Sequence, residues 1–157
     1  MESGYERLDI YRLARELAIK VHRMTLTLPK FEMYEEGSQI RRASKSVGAN
    51  IVEGYCLRRH KNEYLQYLHR SLGSSQETIY HLGILFETHS LMDRQIYEEL
   101  HEQYDHLGRM IFRFIESVLL DHQPPGYIKE DSTPYEAQCS LNEHLTSNPS
   151  STQIGVE

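Results

Sequence analysis

Ile10, Leu13, Ala14, Leu17, Ala18, Val21 and Met24 recur at spacings of three and four residues. That repeat gathers apolar side chains on one side of an α-helix. The pattern stops before Pro29, because the residue ahead of a proline is pushed out of the helical region. After the loop "PKFEMYEEG", a second helix is predicted from about Tyr34 or Ser38 to Leu57, with Ile40, Ala43, Val47, Ile51 and Gly54 on its inner face. A third should start near Lys61, capped by Asn62 or by the basic turn before it. It carries Leu65, Leu68, Leu72, Ser75, Ile79, Leu82 and Phe86 in the alternating three-and-four order of a heptad seam. A fourth should follow Asp93, a good N-cap, and continue through Ile96, Leu100, Leu107, Met110, Ile111, Phe114 and Val118. No stretch shows the two-residue alternation of a strand.

Four helices joined by short connections pack as antiparallel neighbours. The expected fold is therefore all-α, an antiparallel up-and-down four-helix bundle over residues 1–120. The chain of 157 residues suits one such core. Residues 121–157 read differently: they hold four of the five prolines and many Ser, Thr and Asn, without sustained periodicity. Such a segment buries too little apolar surface to offset its ordering entropy, so an acidic, disordered C-terminal tail is expected.

Charge sharpens this division. The formal net charge is −6, and the tail holds most of it: Asp121, Glu130, Asp131, Glu136, Glu143 and Glu157 face Lys129 alone. Between residues 41 and 70 the balance reverses, with Arg41, Arg42, Lys45, Arg58, Arg59, Lys61 and Arg70 against Glu53 and Glu63. Local clustering of this kind, rather than the overall balance, decides whether a polyanion can be recognised. Cys56 and Cys139 form no disulfide framework, which suits a reducing compartment. The N-terminal stretch has no apolar core of signal length, and no run is long enough to span a bilayer. A cytoplasmic setting without membrane partners is expected.

"SKSVGANIVEGYCLRRHK", residues 44 to 61, is the least helix-like part of the pattern. At 100° per residue, Gln39, Ser46, Asn50 and Glu53 lie within roughly 60° of one another beside the apolar face. Folding the chain at the tight turn near Leu57–His60 levels Glu53 with Tyr64, Asn50 with Tyr67, Ser46 with Ser71 and Ala43 with Ser74. Arg41 and Arg42 then fall near Glu77. Gln39, Arg41, Arg42, Ser46, Asn50, Glu53 and Glu77 are thus expected to form a structural polar network that fixes helix register. Gly73 and Ser74, lacking bulk, should let the two helices approach closely.

The segment "SQIRRASKSVGANIVEG", with "RRHKNEYLQYLHRSLGSSQET" after it and "LDIYRLARELAIKVHRMT" before it, resembles the 23S rRNA intervening-sequence protein family over about residues 7–118. The resemblance rests on Gln39, Arg41, Arg42, Ser46, Asn50, Glu53, Gly54, Gly73, Ser74 and Glu77, and it implies four-helix protomers assembled as homopentamers. Where that family commonly has proline this chain has Gly48. Either residue weakens a helix at that point, so a bend or loosening near Gly48 is expected.

Catalysis finds little support in the chain. No recognised motif supplies a nucleophile, base and orienter, and no Gly-rich loop joins a strand to a helix. The nine histidines are scattered, and His101 and His106, five residues apart, point in different directions. The expectation is a non-enzymatic protein with no metal and no cofactor. The basic turn offers more. Arg58, Arg59, His60 and Lys61 cluster at a helix-hairpin tip, with Tyr55 and Tyr64 nearby, and basic groups beside aromatics can contact phosphates and stack on unpaired bases. The alternative use of these charges is to complement the carboxyl end of the second helix. Eleven tyrosines suit interfaces. The expected partners are therefore further copies of the chain, RNA or single-stranded DNA at the tip, or alternatively another protein without nucleic acid.

Overall fold

The computed structural model describes residues 4–121, and the regular structure among them is entirely helical. Four α-helices span α1 (Asp9–Thr25), α2 (Glu36–Cys56), α3 (Lys61–Glu87) and α4 (Arg94–Asp121), with single 3-10 turns at Gly4–Arg7 and Lys30–Met33. The predicted disorder of the tail lies outside the described residues. The helix boundaries follow the apolar periodicity closely, and Asp93 caps α4 as predicted. Its Oδ1 accepts the amides of Gln95 at 2.9 Å and Ile96 at 3.1 Å, satisfying two of the N–H groups a helix leaves free at its start. Asn62 does not cap α3: extended His60 stands at that position, without a side-chain cap bond. At the far end of α3 the chain reverses through His89 in the left-handed region, φ 59°, while the Leu91 amide bonds to the Leu85 carbonyl at 2.8 Å.

α1 packs on α2 and α4, and α3 packs on the same two helices, so the four form a closed square in chain order. Cross-helix contacts show the directions. Along α2 and α3, Glu36 meets His81, Ser46 meets Ser74, and Gly54 meets Tyr64 and Tyr67. One set of numbers falls as the other rises, so these helices run antiparallel. Ser75 with Tyr104 and Lys61 with Leu119 give the same relation for α3 and α4. The core is the sum of four stripes, with Leu17, Val21, Ile40, Val47, Ile51, Leu68, Leu82, Leu107 and Ile111 fully enclosed. Each such side chain contributes about 1.5–3 kcal/mol by leaving water.

On α3, Tyr64, Ser71, Ser74 and Thr78 are buried within the protomer. One expectation changes. α2 runs as an unbroken α-helix through residues 44–52. Gly48 therefore does not interrupt it, because glycine, unlike proline, keeps the amide that continues the helical hydrogen bonding.

The bundle has two unlike ends. At one lie the α2–α3 hairpin, the start of α1 and the close of α4. At the other, the loops after α1 and α3 meet through Glu32. This carboxylate is 3% exposed; it accepts the Ser90 hydroxyl at 2.6 Å and the Gly37 amide at 3.3 Å. Gly37 is needed there, since a Cβ would stand 2.5 Å from the Glu32 carbonyl oxygen.

Candidate nucleic-acid interface

The α2–α3 hairpin places its basic residues unequally. Arg58 lies over the Tyr55 ring, 4.0 Å from the centroid, and donates to the Tyr55 carbonyl at 2.8 Å. Tyr55 itself is half-buried and in edge contact with Tyr5. Its ring is therefore a support for Arg58 rather than an open stacking surface. Arg59 and His60 are exposed. Lys61 turns back and donates to the Leu119 carbonyl at 2.8 Å, capping one of the carbonyls a helix end leaves free and complementing its negative pole. Tyr64 corrects the sequence reading: it is 1% exposed and meets Phe114 edge-on. Burial pushes its phenol up, as does Tyr55, against the opposing charge of Arg58. It cannot stack on a base, because its ring is part of the core.

One further pair extends the basic surface down α3. Arg70 sits over the Tyr67 ring at 4.9 Å. Among the described residues, Arg58, Arg59 and Lys61 form no ion pair with a carboxylate. Arg58 is held by the Tyr55 ring and carbonyl and Lys61 by the Leu119 carbonyl, while Arg59 is exposed.

The predicted polar network is realised in part. The Ser46 hydroxyl accepts from Asn50 Nδ2 at 3.0 Å and from the Ser74 hydroxyl at 3.1 Å, while Asn50 also donates to the Ser46 carbonyl. Ser71 donates across the same seam to the Val47 carbonyl at 2.9 Å. Ser46 thus pairs with Ser74, about one turn from its expected level. Gln39, Arg42 and Glu53 are exposed and stand outside the network. Arg41 donates to the Met33 carbonyl at 2.7 Å instead of reaching Glu77, a shorter path for a long side chain in the first turns of α2. Glu77 belongs with His81, whose Nε2 is 3.7 Å away and whose Nδ1 lies 2.6 Å from Glu36 Oε2. Gly73 faces open space, with nothing within 4 Å of where its Cβ would be. The close approach of α2 and α3 falls at Gly54.

Sequence reasoning missed Glu32, Ser90 and His81. A Glu in a polar loop and a His among nine carry no local sign of burial, and only the meeting of distant loops and helices identifies them. Among the described residues no group of three or more His, Cys, Asp or Glu side chains is placed to hold a metal ion. Asp105 pairs with Arg109. No helix there is long and apolar enough to cross a membrane.

These features define an antiparallel four-helix bundle with a basic hairpin tip. The family model described as 23S rRNA-intervening sequence protein matches residues 6–113, and the chain belongs to that family. A solved structure of similar shape is a protein of unknown function from the S23 ribosomal protein family of Bacteroides thetaiotaomicron VPI-5482. It is 22% identical with a TM-score of 0.63, the match covering 68% of this chain and 95% of that one. At that identity the likeness speaks for the fold. A search of curated proteins finds no match.

Proposed function

We propose that the protein is a non-enzymatic, oligomeric scaffold that takes up RNA or single-stranded nucleic acid at the α2–α3 hairpin tip. The observation that carries this is the set Arg58, Arg59 and Lys61, three cations in four residues at an exposed turn, none of them paired with a carboxylate among the described residues. Such a set attracts phosphates in a salt-dependent manner. Repetition of the tip around a homopentameric ring, the assembly the family resemblance suggests, would multiply weak contacts through avidity. The buried Tyr64 moves the weight from base stacking to phosphate contact, so little sequence preference is expected.

The test is binding of a fluorescent single-stranded RNA to the full chain at about 50 mM and about 200 mM salt. Affinity should fall as salt rises. R58E/R59E should abolish binding with the helical circular-dichroism signal retained; Lys61 is left intact because it ties the hairpin to α4. No binding at the lower salt would overturn the reading. A protein partner without nucleic acid is the second reading, favoured by the apolar side chains exposed around the opposite end: Leu26, Phe31, Met33, Tyr34 and Met92. Light scattering tests the oligomer, since a mass near 18.5 kDa would show a monomer.

A further inference from the structure

The groove between α1 and α2 carries charge of one sign. It encloses about 460 Å³, a volume typical of binding clefts. Ala14, Ala18, Gly48 and Ala49 form an apolar floor, Arg15, Arg23 and Lys45 stand on the rim, and no carboxylate lines it. All three cations are exposed, and none forms an ion pair among the described residues. Elsewhere on α1 the cations are matched. Arg12 pairs with Asp9, and Lys20 with Glu16 and Glu99. The unpaired cations of α1, Arg15 and Arg23, thus both border this groove, Arg23 at the edge it shares with the α1–α4 cleft. Gly48 adds room there: a Cβ would meet only Ala14, at 3.9 Å.

We propose that the acidic C-terminal segment of the same chain, about residues 127–145, docks in this groove. The charges complement one another, with Glu130, Asp131, Glu136 and Glu143 against Lys129 in the segment. Tyr127, Ile128, Leu141 and Leu145 supply apolar side chains for the floor. The path is short. α4 ends at Asp121, at the end of the bundle where α1 begins and α2 closes, and α4 packs directly on α1. Neighbouring helices stand about 8–10 Å apart, and each extended residue spans about 3.3 Å, so residues 122–126 cover the crossing. Along the groove, Tyr11 to Arg23 rises about 18 Å, well within the reach of the segment. Docking would neutralise the rim and cover the floor in one step.

The native Cys139 lies within the segment and serves as the probe. In a full-length chain carrying C56S, a second cysteine is introduced in the groove (A49C) or on an exposed position of α4 (E102C). Each is treated with a short bismaleimide and the linked peptides are identified by mass. A49C should crosslink to Cys139 within one chain about tenfold faster than E102C, through its higher effective concentration. R15E/R23E/K45E should cut the A49C rate about tenfold, as should about 0.5 M salt, since exposed ion pairs are weak and screened. Adding E130K/D131K/E136K/E143K to the reversed rim should restore it, which a merely structural role for the rim would not do. E130K/D131K/E136K/E143K alone should lower the rate as well, and it leaves the bundle untouched if the rim variant fails to fold. Equal rates at the two positions, crosslinks mainly between chains, or indifference to charge reversal would each overturn the proposal.

Discussion

Gly54 and Gly73 both lie inside helices, yet alanine should stabilise the protein at Gly73 alone. At Gly54 a new Cβ would stand 2.9 Å from Tyr67 Cβ and 3.2 Å from Tyr64 Cδ2. Carbon atoms pack comfortably at about 3.5–4.0 Å, so several tenths of an ångström must be found. Tyr67 Cβ sits one bond from the backbone and cannot rotate away, and the Tyr64 ring is enclosed against Phe114. α2 and α3 must therefore separate, an overpacking cost of about 1–3 kcal/mol. Alanine returns about 1 kcal/mol of helix propensity, leaving Gly54→Ala destabilised by about 0–2 kcal/mol. At Gly73 nothing lies within 4 Å, so Gly73→Ala keeps only the gain of about 1 kcal/mol. The propensity term is common to both variants, and their difference isolates the cost of forcing the two helices apart. Urea unfolding followed by circular dichroism at fixed chain concentration measures it through the midpoint. The midpoint should rise for Gly73→Ala and stay level or fall for Gly54→Ala. Equal increases for the two would refute the close approach at residue 54.

Alkaline unfolding tests the buried phenols. Burial pushes Tyr64 and Tyr104 up from the ordinary value of 10.0, with Ser44 opposing the shift at Tyr104. Folded values above unfolded ones mean that the unfolded chain loses these protons first. Stability is then intact below pH 10 and falls above it, by about 1.4 kcal/mol per pH unit for each phenol. Tyr104→Phe should remove one such contribution and change neutral-pH stability little, since its hydroxyl has no well-aligned partner; a stability flat between pH 10 and 11 would contradict the burial. At the loop end, Glu32→Ala leaves the Ser90 hydroxyl and the Gly37 amide without their acceptor and should cost about 2–4 kcal/mol. Glu32→Gln should recover part of that in the same unfolding assay, whereas a silent Glu32→Ala would show that the two loops are joined by other contacts.

The helices were legible because burial on one side leaves a periodic mark, and Asp93 because a cap is a local device. Hairpin levelling placed Ser46 within a turn of its partner for the same reason: rise per residue is fixed, so a short turn sets the register of everything behind it. What escaped depends on contacts between distant segments. Arg41 satisfies the Met33 carbonyl close by rather than Glu77 across the seam, and helical rise alone cannot choose between them. Tyr64 shares its neighbourhood with basic residues in sequence but points into the core. The tip therefore survives as a cluster of charge, with one of its two aromatic platforms withdrawn and the other occupied by Arg58. Glu32 had no pattern to betray it, because a carboxylate in a loop is ordinarily solvated.

Two hydroxyls on α3 have a consequence beyond their own bonds. Ser71 is tied to the backbone of α2 and Ser75 to that of α4. Greasy stripes alone would be nearly as content after one rod slid past another by a single pitch, about 5.4 Å. These two pegs would both come out of their holes in such a slip, and on opposite sides at once. The third rod is thereby indexed like a key against two tumblers, and near-miss arrangements of the same four stripes are denied a resting place.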